Sequence, residues 1–142
     1  MDKHSLRLSI VTPEGTTFQS DLVMSVTLPT EDGEITVLPN HIPIISTIKI
    51  GRIKFTLSDS NILYCAISKG VLEVRHNSEV VVLAERAEMA DQIDIARAEE
   101  AYKRAMELKN RQKEDDDIDD ARLNSMIDKE LNRIKIGSNW KV

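Results

Sequence analysis

The chain has 142 residues, 41% of them hydrophobic, with only two Phe, two Tyr and one Trp, so any core is aliphatic and supports one domain or two small ones. Net charge is −5, split as −2 over residues 1–84 and −3 over residues 85–142, and neither part has the basic excess that binding a nucleic-acid backbone requires. The single cysteine, Cys65, excludes an internal disulfide and fits a reducing compartment. The opening residues MDKHSLRLSI lack the pattern of a signal peptide, and no apolar run reaches the ~18 residues of a membrane span; a soluble protein is expected.

Residues 1–84 read as strands. Leu6, Leu8 and Ile10 alternate with polar residues, as do Met24, Val26 and Leu28, and then Ile53, Phe55 and Leu57. Further runs cover 62–68, 71–75 and 80–84, with turn signals at Pro13-Glu14-Gly15, Glu31-Asp32-Gly33, Gly51, 58–61, Lys69-Gly70 and 76–78. Nine or ten strands at this spacing predict a β-sandwich or flattened barrel. The runs 62–67 and 80–83 are apolar on both faces and belong at the centre of a sheet or beneath helices. Cys65 lies within the first of these and reads as a small buried hydrophobe.

The segment LPTEDGEITVLPNHIPI, residues 28–44, is the most specific in this half. Pro29 and Pro39 bracket a short apolar run, so it reads as two strands joined by shaped turns, with Gly33 free to take positive φ. Glu34 beside Gly33, and His41 between Pro39 and Pro43, are the polar groups such loops offer for recognition.

Residues 85–92, ERAEMADQ, are polar and suit a hinge. From 93 onward the period becomes helical. Ile95, Ala98, Ala101, Tyr102, Ala105 and Leu108 share one face, with Asp91 and Asp94 as candidate N-caps. Six carboxylates between Glu114 and Asp120 oppose a helix and predict a solvated loop whose last Asp caps the next helix; a calcium loop of the EF-hand kind would need a glycine and a distal Glu that this run lacks. A second helix is expected from Ala121, with Leu123, Ile127, Leu131 and Ile134 as its stripe and Gly137 as its stop. The fold class expected is thus α+β: a sandwich over 1–84, a hinge over 85–92, and an antiparallel two-helix hairpin over 93–142.

Catalytic signatures are missing from the sequence. His4, His41 and His76 sit in separate turns without metal-ligand spacing, and there is no nucleophile elbow, phosphate-binding loop or dinucleotide fingerprint. No catalytic or metal-ligating residue is therefore expected.

Two motifs carry a family resemblance. Gly33, Glu34, Pro39, His41 and Pro43 stand as they do in the β-domain of the epsilon subunits of F-type ATP synthases, and Ile93-Asp94-Ile95-Ala96-Arg97-Ala98 resembles the start of the first C-terminal helix of the bacterial members. The length of the chain and its order, strands before helices, agree with that family. The resemblance implies a non-catalytic coupling subunit on the cytoplasmic side of the membrane. Its sandwich contacts gamma and the c-ring, and Glu34 and His41 lie on the contact surface. Its hairpin switches between a docked state and an extended one that meets the beta and alpha subunits and inhibits ATP hydrolysis. No cofactor is required, but some members bind ATP as a regulatory ligand, which would engage Ile93, Asp94, Arg97 and Ala98. Arg104 lies on the face of Arg97, and Arg122 on the second helix would complete such a site if the hairpin closes. A member of another class, a free-standing β-sandwich binding module with a helical dimerisation arm, fits the same element order.

Overall fold

The computed structural model describes residues 4–111 and 117–140. Its nine strands are β1 (Leu6–Thr12), β2 (Gly15–Thr30), β3 (Gly33–Val37), β4 (Ile44–Ile48), β5 (Gly51–Leu57), β6 (Ile62–Ile67), β7 (Gly70–Arg75), β8 (Glu79–Ala84) and β9 (Ala87–Met89). A 3₁₀ turn over Ala90–Gln92 leads to α1 (Ile95–Arg111), and α2 spans Asp117–Trp140. The strands follow the order β1-β8-β7-β4-β2-β5-β6-β9, with β3 on the remaining edge of β2 and β1 pairing β2 as well. The long β2 thus belongs to both layers and closes the sheet into a flattened sandwich.

The alternation in the sequence explains what this sandwich encloses. Leu6, Leu8 and Ile10 of β1 are fully buried. Opposite them in the parallel β1–β8 register stand Val80 and Val82, which are buried too. Phe55 is the largest fully buried side chain, and its ring centroid lies 4.5 Å from that of Phe18. β2 departs from simple alternation. Between Val23, paired with Leu57, and Ser25, paired with Thr56, an extra residue enters the strand as a β-bulge. The bulge returns Val23 and Val26 to the interior and turns Met24 outward, against the expected Met24-Val26-Leu28 face.

The segment expected as a hinge is structured. Within it β9 pairs with β6, matching Cys65 to Met89 and Ala66 to Glu88, and Met89 joins the sandwich core. A second, smaller cluster of buried residues, Ala66, Ala90, Ile93 and Ile136, joins the hairpin to the sandwich.

The first helix starts at one of its expected caps, and the second differs from expectation at both ends. α1 starts at Ile95, capped by Asp94, whose Oδ1 accepts the Arg97 amide at 3.1 Å. α2 begins at Asp117, before the expected Ala121. A helix N-terminus is the place where acidic residues are best tolerated, so an acidic run does not prevent a helix from starting there. Lys113 to Asp116, the rest of the expected acidic loop, lie outside the described residues. Gly137 does not end α2, which continues to Trp140. A Cβ there would sit 3.0 Å from both Ile93 and Ile95, so the glycine permits close packing rather than a stop. Of the expected apolar stripes Ala98, Ala105 and Leu123 are buried, while Leu108 and Leu131 are exposed and Ile136, outside the expected stripe, is buried.

Candidate functional site

Glu34 is the second residue of β3, paired with Pro29 of β2, and is exposed. It stands just after Gly33, whose φ of +119° makes the turn from β2 possible. His41 lies in the connection from β3 to β4. Its amide donates to the Leu38 carbonyl at 3.2 Å, and its Nδ1 lies 2.7 Å from the Ile42 carbonyl oxygen. A carbonyl can only accept, so Nδ1 carries the proton of that bond. The loop is braced from a distant turn: the Asn40 amide donates to the buried Ser78 Oγ at 2.8 Å, and the Ser78 carbonyl accepts the Arg7 amide at 2.9 Å. Asn40, Asn77 and Ser78 all hold positive φ, near 60°, so both turns have a fixed shape. Leu38 and Ile42, on either side of His41, project into solvent.

A second exposed apolar surface was not expected from the sequence. The register of β1, β8, β7 and β4 aligns Val11, Leu83, Val71 and Thr47 in one row on the outer face. Leu83 is 53% exposed, Val71 41%, and Ile45 on β4 76%. β8 does lie between two strands, as its two-sided apolar run implied, but among the described residues nothing covers its outer face at Leu83. The run in β6 does lie beneath the helices, with Ala66 buried and Tyr64 packed in the second cluster.

The residues expected around a nucleotide take different environments. Ile93 and Ala98 are fully buried and Asp94 caps α1, while Arg97, Arg104 and Arg122 are exposed. None of the six lines the cavity of about 230 Å³ between the sandwich and α2. That cavity is bounded instead by Glu85, Arg86, Glu88, Lys129, Asn132 and Arg133, among others. Arg133 is the hub there. Its Nε donates to Glu88 at 2.9 Å and its Nη1 to Glu130 at 2.9 Å, with side-chain exposures of only 16% for Arg133 and 13% for Glu130. Burial alone would lower the Arg133 pKa, but the bonds and charges of Glu88 and Glu130 outweigh it and hold the guanidinium above its ordinary value. Asn132 and Trp140 add links to the sandwich: Asn132 Nδ2 donates to the Gly51 carbonyl at 2.9 Å, and the Arg52 guanidinium lies 4.1 Å from the Trp140 ring centroid.

Cys65 is fully buried, and burial pushes its thiol up to about 12, which disfavours the thiolate near neutral pH. Among the described residues no three His, Cys, Asp or Glu side chains converge as a metal site.

Residues 5–90 match the family model described as the ATP synthase, Delta/Epsilon chain, beta-sandwich domain. The chain is 40% identical over 129 residues to the ATP synthase epsilon chain of Desulforamulus reducens, covering 91% of this chain and 94% of that one. It is 36% identical over 135 residues to that of Bacillus velezensis, covering 95% and 98%. In fold it is similar to a chain in the mitochondrial ATP synthase of Euglena gracilis, with a TM-score of 0.74 at 17% identity, covering 88% of this chain and 76% of that one. The match to the sandwich model and the near full-length identity to bacterial relatives together establish that the chain belongs to the ATP synthase epsilon-chain family.

Proposed function

We propose that this chain is a non-catalytic subunit of the central stalk of a bacterial F-type ATP synthase. It couples ion-driven rotation of the c-ring, through gamma, to ATP synthesis, and it restrains ATP hydrolysis through its C-terminal helices. The observation that carries this reading beyond family membership is the uncovered apolar row of Val11, Leu83 and Val71, with Ile45 beside it. Surface of this kind on a chain with a closed interior fits a protein partner, and we assign gamma to it. Glu34 and the braced His41 loop then face the polar loops of the c-ring, and the membrane is reached only through these partners. No helix among the described residues is long and apolar enough to cross a membrane, which supports peripheral attachment.

The regulatory half of the reading rests on the helical hairpin. When α1 and α2 leave the sandwich and extend, they meet the beta and alpha subunits, with the connection between β9 and α1 as the joint. ATP enters as a regulatory ligand at Arg97, Arg104 and Arg122, where calorimetric titration tests it; a flat titration removes ATP from the reading.

Reconstitution with gamma and the c-ring tests the coupling role. Ile45→Lys combined with Leu83→Glu should abolish gamma binding while leaving the melting curve of the isolated chain in place. Glu34→Gln with His41→Ala should leave gamma binding intact and lower coupled ATP synthesis. Undiminished gamma binding by the Ile45/Leu83 variant would remove the assigned surface.

A further inference from the structure

The links described between hairpin and sandwich gather on the C-terminal half of α2. Lys129 Nζ lies 3.8 Å from Glu85, Asn132 donates to Gly51, Arg133 is held by Glu88, and Trp140 stacks against Arg52 and Tyr64. Residues 129 to 140 span about 16 Å of helix. Beneath them lie buried Ala66, Ala90, Ile93 and Ile136, with Tyr64, Ile95 and Trp140 packed on them, so apolar burial and the polar links hold the docked helix together. Arg133 stands out among these links. It uses both edges of its guanidinium, pairing two oxygens of Glu88 at 2.9 and 3.3 Å and one of Glu130 at 2.9 Å. Glu88 belongs to β9 and Glu130 to α2, so one side chain ties the helix to the strand while its neighbour in the helix fixes its rotamer. The basic groups lining the adjoining cavity, Arg86, Lys129 and Arg133, are matched in number by Glu14, Glu85 and Glu88.

We propose that Arg133 is a self-contained ionic latch of the docked hairpin: bridged between Glu88 and Glu130, it keeps α2 on β9 without any bound ligand, and ionic strength sets how readily it opens. This inference rests on the docked-and-extended reading of the hairpin given above. A guanidinium held bidentately and mostly out of water is bound more strongly than a surface ion pair, and removal of either partner leaves a partly buried charge unmatched. Screening acts on the open state most, because a released Arg133 and Glu88 meet the bulk salt in full.

The only tryptophan, Trp140, reports docking in the full-length chain. Acrylamide quenching of its emission should be low in the unmodified protein. Arg133→Gln and Glu88→Gln should each raise the undocked population at least about tenfold, or about 1.4 kcal/mol, with the sandwich melting curve unchanged. The exchanged pair Glu88→Arg with Arg133→Glu, made together with Glu130→Gln so that no like charges meet, should restore much of the protection. Raising salt from about 0.1 M to about 1 M, which shortens the Debye length from about 10 Å to about 3 Å, should increase quenching in the unmodified chain and not in Arg133→Gln. Low quenching in Arg133→Gln overturns the latch. High quenching in both single variants that the exchanged pair does not reverse shows shape rather than charge at work, and overturns it too. Protection of Trp140 that appears only when ATP is present overturns its independence of ligand. The proposed role in rotary coupling is read separately, by gamma binding of the same variants, which should be unaltered.

Discussion

Where the sandwich ends is open to direct test by truncation. The sequence places the boundary after residue 84, but the folded chain uses the next eight residues. Met89 is 9% exposed and belongs to the sandwich core. β9 covers the edge of β6 that β5 leaves open, and the stretch leading to it is tied down by backbone bonds: Ser68 to Arg86 at 3.1 Å and Glu85 to Lys69 at 3.0 Å. The Arg86 amide also donates to Ser68 Oγ at 2.9 Å. Loss of a buried Met costs about 2–5 kcal/mol, and each backbone bond about 1 kcal/mol net. A fragment ending at Ala84 should therefore be about 4 kcal/mol or more less stable than one ending at Gln92, a large share of the 5–15 kcal/mol typical of a domain. At about 4–8 °C per kcal/mol for this size, the midpoint should fall by roughly 15–30 °C. Far-UV circular dichroism melts of the two fragments measure it. Equal midpoints would refute the assignment of β9 to the sandwich. An unfolded 1–92 fragment would show that the sandwich needs its helices.

Three further perturbations probe other joints. Gly70→Ala should cost several kcal/mol, about what overpacking a tight site costs, because the new Cβ collides with the Leu83 carbonyl oxygen and comes within 3.0 Å of the Ala84 Cα; urea unfolding measures it, and a change below about 0.5 kcal/mol would show that β7 and β8 can part. Gly137→Ala gains about 1 kcal/mol of helix propensity but crowds Ile93 and Ile95, so Trp140 should become more quenchable while the sandwich midpoint holds; improved protection would mean that Ile93 yields. Cys65 gives a pH signature. Its thiol titrates at about 12 in the fold against 9.0 unperturbed, so stability is whole below pH 9 and is lost as pH rises from there toward 12, by about 1.4 kcal/mol per unit. The unmodified chain should therefore lose stability faster than Cys65→Ala in that window, and parallel curves would contradict the burial.

Much of the sandwich is legible because period-two alternation leaves little choice of face: once Leu6 points inward, so do Leu8 and Ile10. Met24 escapes that logic because a bulge adds one residue to a strand without altering its composition. Gly137 misleads because glycine serves two needs, ending a helix or letting another element approach, and only the position of Ile93 decides between them. The latch is illegible for a different reason. Arg133 and Glu88 lie 45 residues apart, and no local spacing rule joins them. Glu34 could be found as an exposed polar group beside a turn glycine, whereas the row through Leu83 could not, since a strand apolar on both faces reads as covered on both.

That ambiguity resolves at β6, where both faces are used, one for each core. Cys65 and Ile67 point into the sandwich, while Tyr64 and Ala66 belong to the cluster under the helices. A single strand therefore serves two cores through its period of two, and the expected outcome is that the hairpin lifts away from one face without disturbing the other. Substitutions at adjacent positions should separate the two. Ala66→Asp places a carboxylate among Ala90, Ile93 and Ile136, beside Glu88 across the ladder. It should undock the hairpin, exposing Trp140 to quencher, and leave the sandwich folded. Cys65→Asp buries the same charge in the closed interior, where an unpaired carboxylate costs several kcal/mol, and should unfold the sandwich itself. Dichroism and quenching on the two variants decide the matter: if Ala66→Asp melts the strands as thoroughly as Cys65→Asp does, the two clusters are one core and the hairpin is not a separable arm.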